Sequence, residues 1–225
     1  MPATESMVRS LSVGDREALL LHLRLLTYGD RMSCVLACPQ EGCREKMNLD
    51  LFVRRLLVER YEQRSEWHEF SIHISEKDHK VRLRVPTGED MELLSNCAAA
   101  NPATAEMLLV ERCAKVATRD REGPLQVDSL PSALIDAIGQ KLSELDPQAE
   151  ILLSMPCAAC GRSFTAEFDA GAYLYQELRG HVAHLYREVH TIARSYHWSE
   201  ADILGMTPKN RSIYLDLLAG EGSLA

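Results

Sequence analysis

The sequence predicts an α+β protein: cysteine-bearing β-hairpins and one further β-hairpin, surrounded by helices, with a helical C-terminal third. Three observations carry this expectation. Two short cysteine knuckles, Cys38-Pro39-Gln40-Glu41-Gly42-Cys43 and Cys157-Ala158-Ala159-Cys160-Gly161, each lie between segments of alternating apolar residues. Residues 69–86 alternate in the same way on both sides of a polar stretch. Beyond Asp169, apolar residues recur at helical spacing instead.

Each element has its own signal. Ser12 is placed to cap a helix over 14–28, with an apolar stripe of Leu19, Leu20, Leu23 and Leu26 and a stop at Gly29. Arg31 to Ala37 reads as a strand through Met32, Cys34 and Leu36, and Lys46 to Leu51 as its return through Met47, Leu49 and Leu51. The second hairpin pairs Glu69–Ser75 with Lys80–Pro86 across a polar turn, Glu76-Lys77-Asp78-His79. Thr87 caps a helix through Glu92 and Leu94. Asn101-Pro102 begins another, with Met107, Leu108, Val110 and Cys113 facing inward. Arg119–Gly123 reads as a polar loop and Leu130–Leu145 as a helix closed by Asp146-Pro147.

The second knuckle follows a strand, Glu150–Met155, and precedes a short return, Ser163–Phe168. Asp169 caps a long helix to Tyr196. Ser199, with Asp202 in the capping-box position, opens a short helix, and Thr207-Pro208 opens the last one, which carries Tyr214, Leu215 and Leu218. The whole reads as a single domain over 1–225. A core of paired hairpins at 31–51 and 148–168 receives an insertion of hairpin and helices at 66–146, and a helical block follows at 169–220.

Composition narrows the function classes. The 225 residues are 46% hydrophobic and 26% charged, ordinary for a globular protein. No apolar run approaches the roughly 18 residues of a membrane helix, and Met1 to Ser10 does not read as a signal peptide. Seven cysteines in such a chain fit a reducing compartment. The balance of 25 basic against 33 acidic residues, −8 net, argues against nucleic-acid binding, which draws most of its affinity from phosphate contacts.

Strand, cysteine knuckle, strand is the layout of a zinc-ribbon hairpin. Two such thiol pairs supply the four ligands of a closed tetrahedral site, so Cys38, Cys43, Cys157 and Cys160 are the expected ligands of one structural Zn2+ per chain. Two plainer readings compete: the pairs are buried small hydrophobes, or Cys157-x-x-Cys160 is a redox dithiol. A redox motif opens a helix, whereas Gly161 and a β-like run follow Cys160. Cys34 rivals Cys38 but sits inside the strand between Met32 and Leu36. Cys34, Cys97 and Cys113 occupy apolar positions and read as core.

No catalytic set emerges. His181, His184 and His190 lie on the long helix without the i, i+4 spacing of a metal pair. His68, His73 and His79 fall on or beside the exposed side of a hairpin. Ser154, Ser163 and Ser212 lack a nucleophile-elbow context, and there is no phosphate-binding glycine loop. Glu188 and His190 are the one pair worth testing for catalysis. The expectation is a protein that is not an enzyme.

Several stretches resemble one family. They are Leu145-Asp146-Pro147-Gln148-Ala149-Glu150, the second knuckle, Phe168-Asp169, Glu188-Val189-His190 through Tyr196-His197-Trp198-Ser199-Glu200-Ala201-Asp202-Ile203-Leu204, and Arg211-Ser212-Ile213-Tyr214-Leu215. Together they are similar to the base plate protein family of T-even-like bacteriophages, with relatives in contractile injection systems. The likeness covers the second half well and the first half mainly through Cys38 to Leu51. Lys209-Asn210-Arg211-Ser212 is a thinner basic cluster than that family often carries before its final Tyr-Leu.

The resemblance implies a structural or chaperone-like assembly role, with baseplate or hub proteins of a contractile tail as partners. It implies a cytoplasmic location during assembly, or a place in the released particle. Trp198, Ile203, Leu204, Arg211 and Tyr214 are the expected partner-binding residues, by the preference of interfaces for aromatic anchors; the plainer reading is that this block folds back as a helical cap and is simply core. The alternative reading is a zinc-ribbon regulatory adaptor associated with nucleic acid, which the net charge disfavours. The sequence leaves oligomeric state open.

Overall fold

The structure is a computed structural model that describes residues 4–58, 66–74, 76–98, 101–118 and 130–220. The fold mixes helices with hairpin sheets and ends in helices, as expected, and the chain divides into two compact units, Met1–Ala170 and Gly171–Ala225. The expected Arg119–Gly123 loop lies outside the described residues.

The first unit opens with α1 (Glu5–Ser10), which the sequence reading does not contain. The Ser12 hydroxyl accepts the Asp15 N–H at 3.1 Å and starts α2 (Val13–Tyr28), and Gly29 stops it at φ 84. The expected inner stripe of α2 is on the wrong side: Leu19, Leu23 and Leu26 are exposed, while Gly14, Ala18, Leu21 and Arg24 are buried. Small residues decide this. The Gly14 N–H donates to Asp146 Oδ2 at 2.9 Å, and a Cβ at Gly14 would collide with that carboxylate. The helix therefore packs through the face that permits close approach.

β1 (Arg31–Ala37) pairs antiparallel with β2 (Lys46–Phe52) along its full length, Arg31 opposite Phe52 and Ala37 opposite Lys46. A single turn, α3 (Val53–Leu56), follows. The second hairpin, β3 (His68–Ile74) with β4 (Lys77–Leu83), has a tighter turn than expected. Lys77, Asp78 and His79 are strand residues, paired with Ile74, His73 and Ile72. His79 is consequently not on the exposed side; alternation puts it with Val81 and Leu83 on the buried face.

After α4 (Gly88–Ala98) and α5 (Pro102–Cys113), β5 (Ala114–Thr118) adds a third strand beside β4. It escapes the sequence reading because it leaves α5 without any turn residue between Cys113 and Ala114. α6 (Ser132–Leu145) lays Leu134, Ile138 and Leu142 against Val81, Leu83, Val110, Ala114 and Val116, which forms the unit's apolar core.

A buried carboxylate ties this core together. Asp90 on α4 accepts from Arg84 at 2.6 and 2.9 Å, from Arg112 Nε at 2.6 Å and from the Thr87 N–H at 2.9 Å. Burial alone would raise its pKa. Arg84, the Thr87 N–H and Arg112 outweigh that and hold the carboxyl well below the usual range. β6 (Leu152–Pro156) and β7 (Ser163–Glu167) form the last hairpin, Leu152 opposite Glu167. The Ala170 N–H, at the start of α7 (Ala170–Tyr196), donates to Glu17 Oε2 at 3.1 Å.

The second unit contains α7 from Gly171 onward, α8 (Glu200–Leu204) and α9 (Pro208–Ala219). Val189, Ile192 and Ile203 are its buried centre, walled by Leu185, Tyr196, Trp198, Tyr214 and Leu215. The Tyr196, Trp198 and Tyr214 rings meet with centroids 4.9 to 5.5 Å apart. Ser199 and Asp202 form the expected capping box of α8, and Thr207 caps α9 with Pro208 in its first turn. Among the described residues, no helix is long and apolar enough to cross a membrane.

Candidate metal centre

The first knuckle forms where β1 ends. The Cys38 N–H donates to the Glu45 carbonyl at 2.8 Å and the Cys43 N–H to the Gln40 carbonyl at 3.1 Å, so the chain turns back within a few residues. The turn needs Gly42 at φ 84, a left-handed conformation that costs glycine little. The second knuckle repeats this between β6 and β7. The Cys157 N–H donates to the Arg162 carbonyl, the Gly161 N–H to the Cys157 carbonyl, both at 2.9 Å, and Gly161 sits at φ 72.

The two knuckles come together. The Sγ atoms of Cys38 and Cys160 are 3.8 Å apart, those of Cys43 and Cys157 are 3.8 Å apart, and all four lie within 4.8 Å of one another. A disulfide needs about 2.05 Å. A tetrahedron of sulfurs about 2.3 Å from a central ion has edges of about 3.8 Å. The spacing is that of four ligands around one ion, and the four cysteines can hold a metal.

Neighbouring groups brace the site. Arg162 Nη1 donates to Gln40 Oε1 at 2.9 Å, joining one knuckle to the other, and the Ala158 N–H points at Met47 Sδ at 3.4 Å. Further along, buried Gln148 accepts the Val58 N–H at 2.8 Å and donates to the Leu56 carbonyl at 3.2 Å. The hairpin pair is thus fixed at its base as well as at its tip.

The four thiols differ in how readily they ionise. The Gln40 N–H favours the Cys38 thiolate, yet burial and the three adjacent thiols outweigh it and push this thiol up to about 12. Cys43 is also raised: burial and the Cys157 and Cys160 thiols overcome the Glu45 N–H. The Cys160 and Ala159 N–H groups pull Cys157 down to about 7. Four thiolates this close repel one another, and a divalent cation is the partner that lets all of them ionise.

Cys34 sits outside this set, half-buried on β1 opposite Leu49. Cys113 is buried at the end of α5, where burial pushes its thiol up to about 11. The side chain of Cys97 lies outside the described residues. Glu188 does not pair with His190; it lies 2.9 Å from Arg211 Nε and 3.0 Å from His184 Nδ1, while His190 is exposed.

The expected partner residues divide by burial. Ile203 is fully buried and Arg211 nearly so, the latter donating to Glu188 and, at 2.7 Å, to the Met206 carbonyl. Trp198 and Tyr214 are half-buried in the ring cluster, and Leu204 is the exposed member. The sequence reading missed Asp90, whose signal is the cap-box spacing from Thr87, and Gln148, which has no local signal.

A family model described as T4 bacteriophage base plate protein matches residues 3–170. The match contains all four clustered cysteines and stops as α7 begins, so the stretches at 188–204 and 211–215 lie beyond it. No curated protein and no solved structure matches the chain.

Proposed function

The chain belongs to the T4 bacteriophage base plate protein family, and from that membership we propose a non-enzymatic role in building the baseplate of a phage-like contractile tail or injection system. Membership supports a structural baseplate role and contact with other baseplate components. In our reading the protein works by protein–protein contact, as an assembly factor or a retained component, and reaches the virion in the second case. Trp198, Leu204 and Tyr214 contribute to its partner surface, with Ile203 and Arg211 holding them in place from within.

The observation that carries the architectural half of this proposal is the closed set of Cys38, Cys43, Cys157 and Cys160. Four sulfurs around one Zn2+ leave no position for a substrate, so the ion acts as a structural staple in a zinc-ribbon pair and not as a Lewis acid.

Two measurements test the proposal. Elemental analysis of protein purified without chelator is expected to find one zinc per chain, and the Cys38→Ser, Cys160→Ser double variant to lose it. Zinc retained by that variant would dismiss the cysteine site. Particles assembled without the protein are expected to lack complete baseplates, and intact baseplates in its absence would remove the assembly role.

A further inference from the structure

The four clustered sulfurs are not equally open to solvent. Cys160 is exposed and Cys43 half-buried, while Cys38 and Cys157 are each 2% exposed. The sequence around Cys160 explains its exposure: Ala158, Ala159 and Gly161 are themselves exposed and carry no side chain long enough to shield it. In an occupied site every ligand is a thiolate, so access decides which sulfur meets a dissolved oxidant first.

The same geometry selects the second sulfur. Cys38, on the other knuckle, has its Sγ 3.8 Å from that of Cys160 and accepts one N–H, from Gln40. Cys157, the rival within the same knuckle, is held by two N–H groups, those of Ala159 and Cys160, and faces Cys43 at 3.8 Å. Drawing Cys38 and Cys160 from 3.8 Å to disulfide length asks each sulfur to move by about 1 Å. We propose that Cys160 is a peroxide-sensitive modification site, and that its oxidation ends in a Cys38–Cys160 disulfide that expels the ion and replaces it as the link between the knuckles.

The chemistry balances in two steps. The Cys160 thiolate attacks hydrogen peroxide: an S–O bond forms, the O–O bond breaks and hydroxide leaves, giving a sulfenic acid. The Cys38 thiolate then attacks that sulfur, an S–S bond forms and a second hydroxide leaves. Both hydroxides take protons from the solvent, so two sulfurs have lost two electrons and peroxide has become two waters. Zn2+ is left with the thiolates of Cys43 and Cys157 in place of four, and departs. The bridge joins residues 122 positions apart, the loop that the ion closes, so the oxidised protein stays clamped without metal. A bridge within one knuckle would close only a few residues and release the two hairpins. The inference takes from the metal reading the ion that is expelled, while the bridge rests on the sulfur geometry.

The test treats the reduced full-length protein with hydrogen peroxide. Zinc release is followed with a colorimetric chelator, and disulfides are mapped by peptide mass spectrometry after alkylation of the remaining thiols. The expected result is one zinc released per bridged chain, linked peptides carrying Cys38 and Cys160, and a urea midpoint that no longer falls when chelator is added until a reductant restores the response. Cys157→Ser, which removes the rival thiol, is expected to form the same bridge. A Cys157–Cys160 or Cys38–Cys43 bridge, or thiols that all stay reduced in excess peroxide, would overturn the proposal and leave the zinc content, and so the metal reading, standing. A bridged protein that unfolds at the midpoint of the reduced, chelated one would also overturn it. Reduced protein that carries no zinc but forms the Cys38–Cys160 bridge would support the bridge and dismiss the ion.

Discussion

Asp90 shows how one buried side chain ties several elements together beside their apolar core. Its carboxylate is fully buried and engages Arg84 from the end of β4, Arg112 from α5 and the Thr87 N–H at the start of its own helix. Removing the charge strands two guanidinium groups, so Asp90→Asn is expected to cost roughly 3 kcal/mol at neutral pH, read from the urea midpoint. The pH dependence has a definite sign. A carboxyl held below its unfolded value of about 3.9 stabilises the fold above that pH and loses the contribution as pH falls towards the folded value. The gap between native and Asp90→Asn protein should therefore be full at pH 6 and shrink below about pH 4. A gap that stayed constant from pH 6 to pH 2 would mean that the carboxylate's charge is not what stabilises.

At the scale of elements, capping makes the most direct prediction. Ser199 Oγ accepts the Asp202 N–H at 3.2 Å while Asp202 reaches back to the Ser199 N–H, and α8 is a short helix that places Ile203 in the centre of its unit. Ser199→Ala is expected to lower stability by about 1 kcal/mol, and an unchanged melting transition of the helical unit would show that packing of Ile203 alone suffices. That cap was legible in the sequence, as were both knuckles, because turn residues, caps and cysteine spacing are local signals. Residues whose role depends on distant packing were not. Leu19, Leu23 and Leu26 look like an inner stripe, yet Gly14 admits Asp146 on the opposite side, where Ala18 is also buried, and the leucines stay outside. β5 follows α5 without punctuation and becomes a strand because β4 offers it an edge. His79 looked like part of a polar turn, and the register of β3 with β4 buried it.

On the scale of the molecule, what matters is how far apart in sequence the two knuckles lie. Everything from Arg44 to Pro156 must leave one cysteine pair and return to the other, so an ion held by all four closes a loop that contains the three-stranded sheet and its helices. Closing a loop of about 100 residues lowers the entropy of the unfolded chain by the equivalent of about 4 to 5 kcal/mol in the cross-link analogy, and binding energy at a structural zinc is itself folding energy. Trp67 reports on the first unit, its ring 4.7 Å from Lys115 Nζ on β5 and 5.5 Å from Arg82 on β4. With Trp198→Phe as background, so that Trp67 is the remaining indole, chelation is expected to lower the urea unfolding midpoint of Trp67 emission, by an amount equivalent to several kcal/mol of stability. The Cys38→Ser, Cys160→Ser protein should start at the lowered midpoint and not respond to chelator. The proton balance gives a second readout: because Cys38 and Cys43 hold their protons tightly without a cation, zinc uptake near pH 7 should release protons into a weakly buffered solution. A Trp67 midpoint unmoved by chelator, with zinc shown to have left, would mean that the hairpins and Gln148 hold the loop closed by themselves and that the ion is not the staple.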